Sequence, residues 1–478
     1  MAAADVPVPA LKAKATSCAA RLLAADRVLL ASHIDADGLT SAGIAATALE
    51  RAEIPFEVVF EKQLDEESIA ALAAREYDTV LFTDFGSGQL DIIAAHESSG
   101  DFTPIIADHH QPAASETTFH LNPLLEGIDG AKELSGAGAA YVLARALADE
   151  MDDTPRLGNR DLAALAVVGA VGDMQASDGE LHGANSAIVA EGVDAGVLKE
   201  AKDLAVYGKQ TRPLPKLLEY ASDVRIPGIT NDERGSMSFL DELDVACRAD
   251  GDWKRWVDLD DDERQAVASA LVRHAVSRGV PAYKIDRLVA TSYTLCAERE
   301  GTELRDASEF STLLNATARY ERADVGLAVC LGDRDGALKQ ARELLRNHRR
   351  NLSEGIQWVE EHGVTLEANV QWFDAGDEIR ETIVGIIAGM AMGADGVSRD
   401  TPILAFARKS DEETKVSGRG TGPLVGDGLD LSVAIGEAAR EVGGDGGGHD
   451  VAAGATIPAG SERTFVERVD RLVGEQLG

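Results

Sequence analysis

Cysteine is nearly absent from this chain. Cys18, Cys247, Cys296 and Cys330 lie far apart in 478 residues and form no CxxC pair, which excludes a disulfide framework and thiolate zinc fingers. Long apolar runs are missing as well. The longest, IVGIIAGMAMGA (383–394), falls short of the ~20 residues of a membrane span and reads as a buried helix. The N-terminal MAAADVPVPALKAKATSC carries lysines but no continuous apolar stretch, so it does not read as a signal peptide. A cytoplasmic protein without membrane association is expected. Neither an internal repeat nor a low-complexity tail is visible.

Basic residues are also few, 46 against 82 acidic, for a formal charge of -36. A net-negative surface repels polyanions. The acid is spread from end to end, however, with little lysine relative to arginine and many small residues, as in a salt-adapted, halophilic proteome. In molar salt the Debye length is ~3 Å, so global charge decides little and local basic residues still act. Net charge therefore excludes no partner. Hydrophobic residues at 45% and charged residues at 27% describe a globular chain. Its length exceeds what one core organises, so two or three domains are expected.

The first 125 residues alternate short apolar runs with helical patterns. RVLLAS (27–32), PFEVVF (55–60), TVLFTD (79–84) and TPIIAD (103–108) read as buried strands; SAGIAATALERA (41–52) and DEESIAALAAREY (65–77) read as helices with acidic first turns. Such alternation predicts an α/β fold with a parallel sheet covered on both faces. Helical stretches follow at 135–150, with Ser135 near the N-cap, and at 160–174. From 195 to 345 the strand signal fades and RQAVASALVRHAVSRG (264–279) is helical. The stretch 336–363 reads as a long connecting helix. Strands return in VQWFDA (370–375), TPILAFAR (401–408) and ATIPA (455–459). The expected domains are 1–195, a mostly helical insertion with connecting helix at 196–358, and a second α/β domain at 359–478.

Metal-type ligands recur where apolar segments of the first domain end. RVLLAS runs into His33-Ile-Asp35-Ala-Asp37, TVLFT into Asp84, TPIIA into Asp108-His109-His110, and LAVVGAVG (165–172) into Asp173. In open parallel sheets the carboxyl ends of the strands line the ligand crevice. Alternate residues of an extended segment point the same way, so His33, Asp35 and Asp37 are expected to face one side together. A lone aspartate at a strand end commonly N-caps a helix; four such elements in one half of the chain are harder to obtain by accident. The mixed Asp/His set suits Mn²⁺ or Mg²⁺.

SHIDADG, FTDFG, the ADHH box and GAVGDM resemble the four motifs of the DHH phosphoesterase superfamily, and GGDGGGHDVAAGA (443–455) resembles the glycine-rich motif of its DHHA1 substrate-binding domain. EFSTLLNATARY (309–320) and the overall length look most like the archaeal RecJ-like nucleases, including the GINS-associated nuclease. The resemblance implies a DHH domain and a DHHA1 domain with the active-site cleft between them. It implies two Mn²⁺ ions, with Mg²⁺ as the alternative metal: one held by His33 and Asp35, the second by Asp37, His109 and Asp173, and Asp84 bridging both. His110 is then a phosphate contact or orienting group, and Asp108 braces the histidines. A phosphodiester is shielded by negative charge and water is a poor nucleophile. Paired cations ~3.5–4 Å apart offset both difficulties, and the product would be a nucleoside monophosphate.

Glycine lets a backbone approach phosphate closely. Glycine runs are commonly flexible loops, and this one lacks the GK[ST] ending of a Walker loop; the resemblance to the DHHA1 motif implies that Gly446, Gly447, Gly448 and His449 form a phosphate- or sugar-binding loop. Ser417 and Arg419, in KVSGRGTG, look like that domain's phosphate clamp. RELLRNHRRN (342–351) is the most basic stretch and reads equally as a strand-steering or a solvated helix face. His96, His120, His182, His274, His348 and His362 have no constellation around them. The leading expectation is a single-strand exonuclease of replication or repair, with DNA favoured over RNA as substrate. The alternatives are a small oligonucleotide or cyclic-dinucleotide phosphodiesterase and a replisome scaffold binding GINS. The extra 195–345 segment favours the polymer-handling enzyme.

Overall fold

A computed structural model describes residues 7–151, 156–221, 224–394 and 396–478. Residues 1–6 of the N-terminal stretch read above lie outside the described residues. The chain divides into two compact units between Ala341 and Arg342.

The first unit is built on strands β1 (Val28–His33), β2 (Phe56–Glu61), β3 (Thr79–Thr83), β4 (Thr103–Ala107) and β5 (His120–Leu121). They form one parallel sheet in the order β2-β1-β3-β4-β5. Helices α1 (Lys12–Leu23), α2 (Ala36–Arg51), α3 (Glu66–Ala73), α4 (Leu90–Ser99) and α5 (Gly136–Glu150) cover it. Leu29, Ala31, Val80, Phe82 and Ile106 meet Ile69, Leu72, Leu90 and Ile93 on one face. On the other, Leu81 meets Leu22, Ala45, Leu49 and Leu143. With both faces covered, the central strands carry continuous apolar runs. β2 departs from the expected buried strand: it lies at the sheet edge and is only half-buried. β5, two residues long, had no sequence signal. α2 starts at Ala36, earlier than expected, because Asp35 caps it by accepting from Gly38 N at 3.0 Å.

Helices α6 (Ala163–Gly172) and α7 (Gly183–Asp194) follow. Next comes β6 (Leu198–Leu204), and then an insert with α8 (Leu214–Glu219), α9 (Glu233–Asp241), the small hairpin β7 (Arg248–Ala249) and β8 (Asp252–Trp253), α10 (Asp261–Ser277) and α11 (Ala282–Ile285). The chain returns in β9 (Val289–Leu295), antiparallel to β6 from Leu198↔Leu295 to Leu204↔Val289. The insert has its own core around Leu214, Leu217, Ile226, Val267 and Leu271. The β6–β9 pair corrects the expectation that strands fade here. In LKEAKDL only the two leucines are buried, so no apolar run or strict alternation marks the strand. α12 (Ala307–Arg319), α13 (Ala323–Cys330) and the long α14 (Gly336–His362) complete the middle of the chain.

The second unit has a six-stranded mixed sheet, in the order β10-β11-β12-β13-β15-β14. It comprises β10 (Thr365–Leu366), β11 (Gln371–Asp374), β12 (Ile403–Arg408), β13 (Glu413–Arg419), β14 (Asp445–Gly448) and β15 (Ala452–Pro458). Only β11 and β12 pair in parallel. Ile403, Ala405 and Ala407 pack with α15 (Val384–Ala391), the helix expected from the apolar run, which is buried on one face and leaves Met390 exposed. The alternate Leu404 and Phe406 join a core built with α17 (Leu431–Glu441) and α18 (Glu462–Leu477), after the short α16 (Gly422–Gly426). The architecture is therefore α/β: a parallel five-stranded unit, a largely helical middle and a mixed-sheet C-terminal unit. Among the described residues no helix is long and apolar enough to cross a membrane. The four cysteines are unpaired, and only Cys296 is exposed.

Candidate metal centre

The carboxyl ends of β1, β3 and β4 carry the acids and imidazoles singled out above. The expectation that His33, Asp35 and Asp37 share one face of an extended segment is corrected by the fold. His33 ends β1, Asp35 caps α2 and Asp37 lies in its first turn. The three side chains therefore diverge: His33 and Asp35 gather with Asp84, whereas Asp37 gathers with His109 and Asp173. In each group the ligand-type atoms lie within 4.8 Å of one another. Asp173 also arrives differently from a strand end, since it is the C-cap of α6.

Asp84 stands between the two groups. Its Oδ2 is 3.6 Å from His33 Nδ1, its Oδ1 3.3 Å from His109 Nε2. Asp35 Oδ2 lies 3.2 Å from His33 Nδ1, and Asp37 Oδ2 3.7 Å from His109 Nε2. Asp84 follows β3 with φ of 62°, a left-handed conformation that aspartate tolerates better than most residues. Gly136 and Gly169 let neighbouring helices close on the carboxylates. A Cβ on Gly136 would sit 2.3 Å from Asp84 Oδ1, one on Gly169 2.4 Å from Asp37 Oδ1. The N-terminus of α5, capped by Ser135 as expected, addresses Asp37. Gly136 N donates to Oδ2 at 2.7 Å and Ala137 N to Oδ1 at 2.9 Å, a favourable end of the helix dipole for an anion.

Asp108 is fully buried and braces the histidine pair. Its Oδ1 accepts from the His109 and His110 backbone N–H groups and lies 2.8 Å from His110 Nδ1; its Oδ2 accepts from Ser87 N. His109 Nδ1 donates to Gly130 O at 2.6 Å, which leaves Nε2 for the carboxylate side. Asp84, Asp108, His109 and His110 form a third cluster of potential ligands. His120, passed over in the sequence, lies behind this brace with Nε2 2.9 Å from Ser87 Oγ. Other residues missed by sequence reasoning are Gly130, Gly136, Gly169, Gln175, Asn185 and Asn122, whose Nδ2 donates to Ser87 Oγ and His110 O at 2.9 Å. The glycines of SGAG and GAVG, beside expected helices, were the one available signal.

Burial and neighbouring charges shape the ionisation of Asp37, Asp84 and Asp173. Burial and the charges of Asp84 and Asp173 push Asp37 well up. Burial, with Asp84 and Asp35 adding, raises Asp173 to about 6. Burial opposes ionisation of Asp84, but the His109 and His33 imidazoles beside it outweigh burial and hold that carboxyl low. Burial would likewise lower both imidazoles; their carboxylate neighbours instead raise His33 and His109 to about 11. The donor set, oxygens with two imidazoles, fits hard divalent cations. Asp84 Oδ1 is buried without a hydrogen-bond partner among the described residues, an atom such a cation would take.

Ser417, Arg419, Gly446–Gly448 and His449 all belong to the C-terminal unit. Ser417 pairs with Gly454, which pairs with Gly447, so the sheet sets them two strands apart. Ser417 Oγ and an Arg419 guanidinium nitrogen both face Gly385 of α15, at 2.8 and 2.7 Å from a Cβ built there. The expected glycine loop is corrected: Asp445–Gly448 is the edge strand β14. Its glycines permit the close pairing, since a Cβ on Gly446 would meet Gly454 O at 2.9 Å. His449 is exposed at the turn into β15.

Family comparisons agree with this layout. The DHH family N-terminal domain matches residues 27–170, the DHH-CID domain 206–289 and the DHHA1 domain 367–475. An uncharacterized protein of Methanocaldococcus jannaschii is 32% identical over 454 residues, 93% of each chain. The chain belongs to the DHH/DHHA1 superfamily. The single-stranded-DNA-specific exonuclease RecJ of Bacillus subtilis is 26% identical over 182 residues, 35% of this DHH/DHHA1 chain and 21% of that protein. RecJ of Thermus thermophilus, solved with Mn²⁺, shares the fold with a TM-score of 0.61 at 18% identity, over 99% of this chain and 56% of that one. CDC45 of Entamoeba histolytica shares it with a TM-score of 0.66 at 11% identity, over 97% and 99%.

Proposed function

We propose that this DHH/DHHA1 protein is a metal-dependent phosphodiesterase that degrades single-stranded nucleic acid to nucleoside monophosphates. The observation that carries the reading is Asp84, a buried carboxylate reaching two ligand groups at once, one oxygen toward each. In this reading His33, Asp35 and Asp84 hold one cation, and Asp37, His109, Asp173 and Asp84 the other. The similar RecJ fold has been crystallised with Mn²⁺ and with Mg²⁺, and Mn²⁺ is the ion proposed here. Such a pair supplies water activation and charge neutralisation at a phosphodiester. The chain's own groups do the positioning. Asp108 commits Nδ1 of the largely exposed His110 and leaves Nε2 to donate to a phosphate oxygen. Ser417 and Arg419 would hold a second phosphate.

The test is digestion of end-labelled single-stranded DNA and RNA, beside duplex and a dinucleotide, with Mn²⁺ or Mg²⁺ in high salt. Monophosphates released from the long single strands, and none with Asp84→Asn, support the proposal. Cleavage of the dinucleotide alone would assign a small-molecule phosphodiesterase, and no cleavage of any substrate would overturn the reading.

A further inference from the structure

Behind the cluster lies a buried amide with every hydrogen-bonding atom engaged. Gln175 is 4% exposed. Its Nε2 donates one hydrogen to Asp173 Oδ2 and the other to Gly130 O, both at 2.9 Å. Gly130 O is also the acceptor for His109 Nδ1. Gln175 Oε1 accepts from Asn185 Nδ2 at 2.6 Å. Turned over, the amide would set its oxygen against a carboxylate and a carbonyl, so the neighbours fix its orientation. One side chain thus ties the rotamer of Asp173 to the carbonyl that sets the tautomer of His109.

Local backbone supports this placement. After the α6 C-cap, Met174 takes φ of 62° and is 70% exposed. Met174 N then bonds Val171 O and Gln175 N bonds Ala170 O. A non-glycine residue in this conformation costs of order 1 kcal/mol, and the exposed methionine packs little in return. The strained turn delivers Gln175 directly behind Asp173. The acceptor approaches just as closely from the other side, because a Cβ on Gly130 would lie 2.1 Å from His109 O.

We infer that Gln175 is a positioning residue for one half of the centre: it holds Asp173 and His109 ready for the cation they share with Asp37, and leaves the His33–Asp35 half untouched. The inference rests on the two-cation reading above. It goes beyond that reading by assigning the two halves separate supports. Mn²⁺ itself is the probe, titrated calorimetrically into the full-length protein, with free Mn²⁺ followed by electron paramagnetic resonance. Wild type is expected to take up two ions. Gln175→Met, similar in length and lacking the amide, is expected to keep one at unchanged affinity and to bind the other roughly 10–100-fold more weakly. Asn185→Ala keeps the Gln175 donors but frees their anchor, and is expected to weaken the same ion less. It stands as the test if Gln175→Met does not fold. Two ions at wild-type affinity in either folded variant, or equal loss of both, would overturn the inference while the two-cation reading survives. A wild-type protein that binds no Mn²⁺ would overturn both.

Discussion

Gly136 leaves no room for a side chain beside Asp84: a Cβ there would stand 2.3 Å from the carboxylate oxygen Oδ1. The same glycine donates its N–H to Asp37. Gly136→Ala must therefore displace either the helix terminus or the carboxylate between the ligand groups. A shift of about 1 Å at such a site costs roughly a hundredfold in rate. Nuclease assays should show that loss, while Gly88→Ala, whose Cβ would meet nothing closer than 3.9 Å, should retain wild-type rates.

Asp84→Asn should remove the response to metal altogether. A ligand that binds only the folded state stabilises it by about 2.7 kcal/mol at 100 times its Kd. Mn²⁺ should raise the thermal midpoint of wild type and leave that of Asp84→Asn where it is in EDTA. An equal rise in both would remove Asp84 from the site.

Glu309, on α12, accepts from Gln210 N at 2.7 Å and from Thr211 Oγ1 at 2.6 Å. Burial raises its carboxyl from 4.5 to about 7 despite those bonds. The folded state then binds this proton more tightly than the unfolded state does. Its contribution to stability is full below about 4.5 and is lost as pH rises through about 7. Glu309→Gln cannot ionise, so its stability relative to wild type should increase between pH 5 and pH 8, by up to roughly 3 kcal/mol. Urea unfolding of both metal-free proteins at the two pH values checks the sign.

Arg145 is 1% exposed inside the apolar face of α5. It pairs with Glu191 at 2.9 Å and donates to Gly158 O at 2.8 Å. Arg145→Met leaves the nearly buried Glu191 with only the Tyr141 hydroxyl and Arg160 Nε at 3.7 Å, and should cost about 3 kcal/mol, the lower end for breaking a buried pair. Adding Glu191→Gln should recover part of that loss, a coupling that unfolding of the single and double variants measures.

The candidate ligands that the structure gathers were legible in sequence because each ends or follows a segment with a clear pattern. The buried strands β1, β3 and β4 show continuous apolar runs, and an acid or imidazole after such a run is easy to see. Strand β6 was invisible because most of its residues face solvent, and β14 because glycine carries no pattern. The supports of the centre were hidden for a different reason. Gln175, Asn185, Ser87 and Asn122 are ordinary polar residues anywhere in a chain, and only burial makes their hydrogen bonds obligatory.

Local order is thus what the sequence by itself determined: apolar periodicity fixes which segments become strands or helices, and so which acids stand at their ends. Tertiary structure alone decided how those ends divide. His33 and Asp35 part from Asp37 because the chain turns into α2 at Asp35, and Asp84 meets both groups because β3 lies beside β1, next to β4, in the sheet. Strand order and the angle at which a helix leaves a strand depend on contacts between residues distant in sequence, which no local pattern encodes.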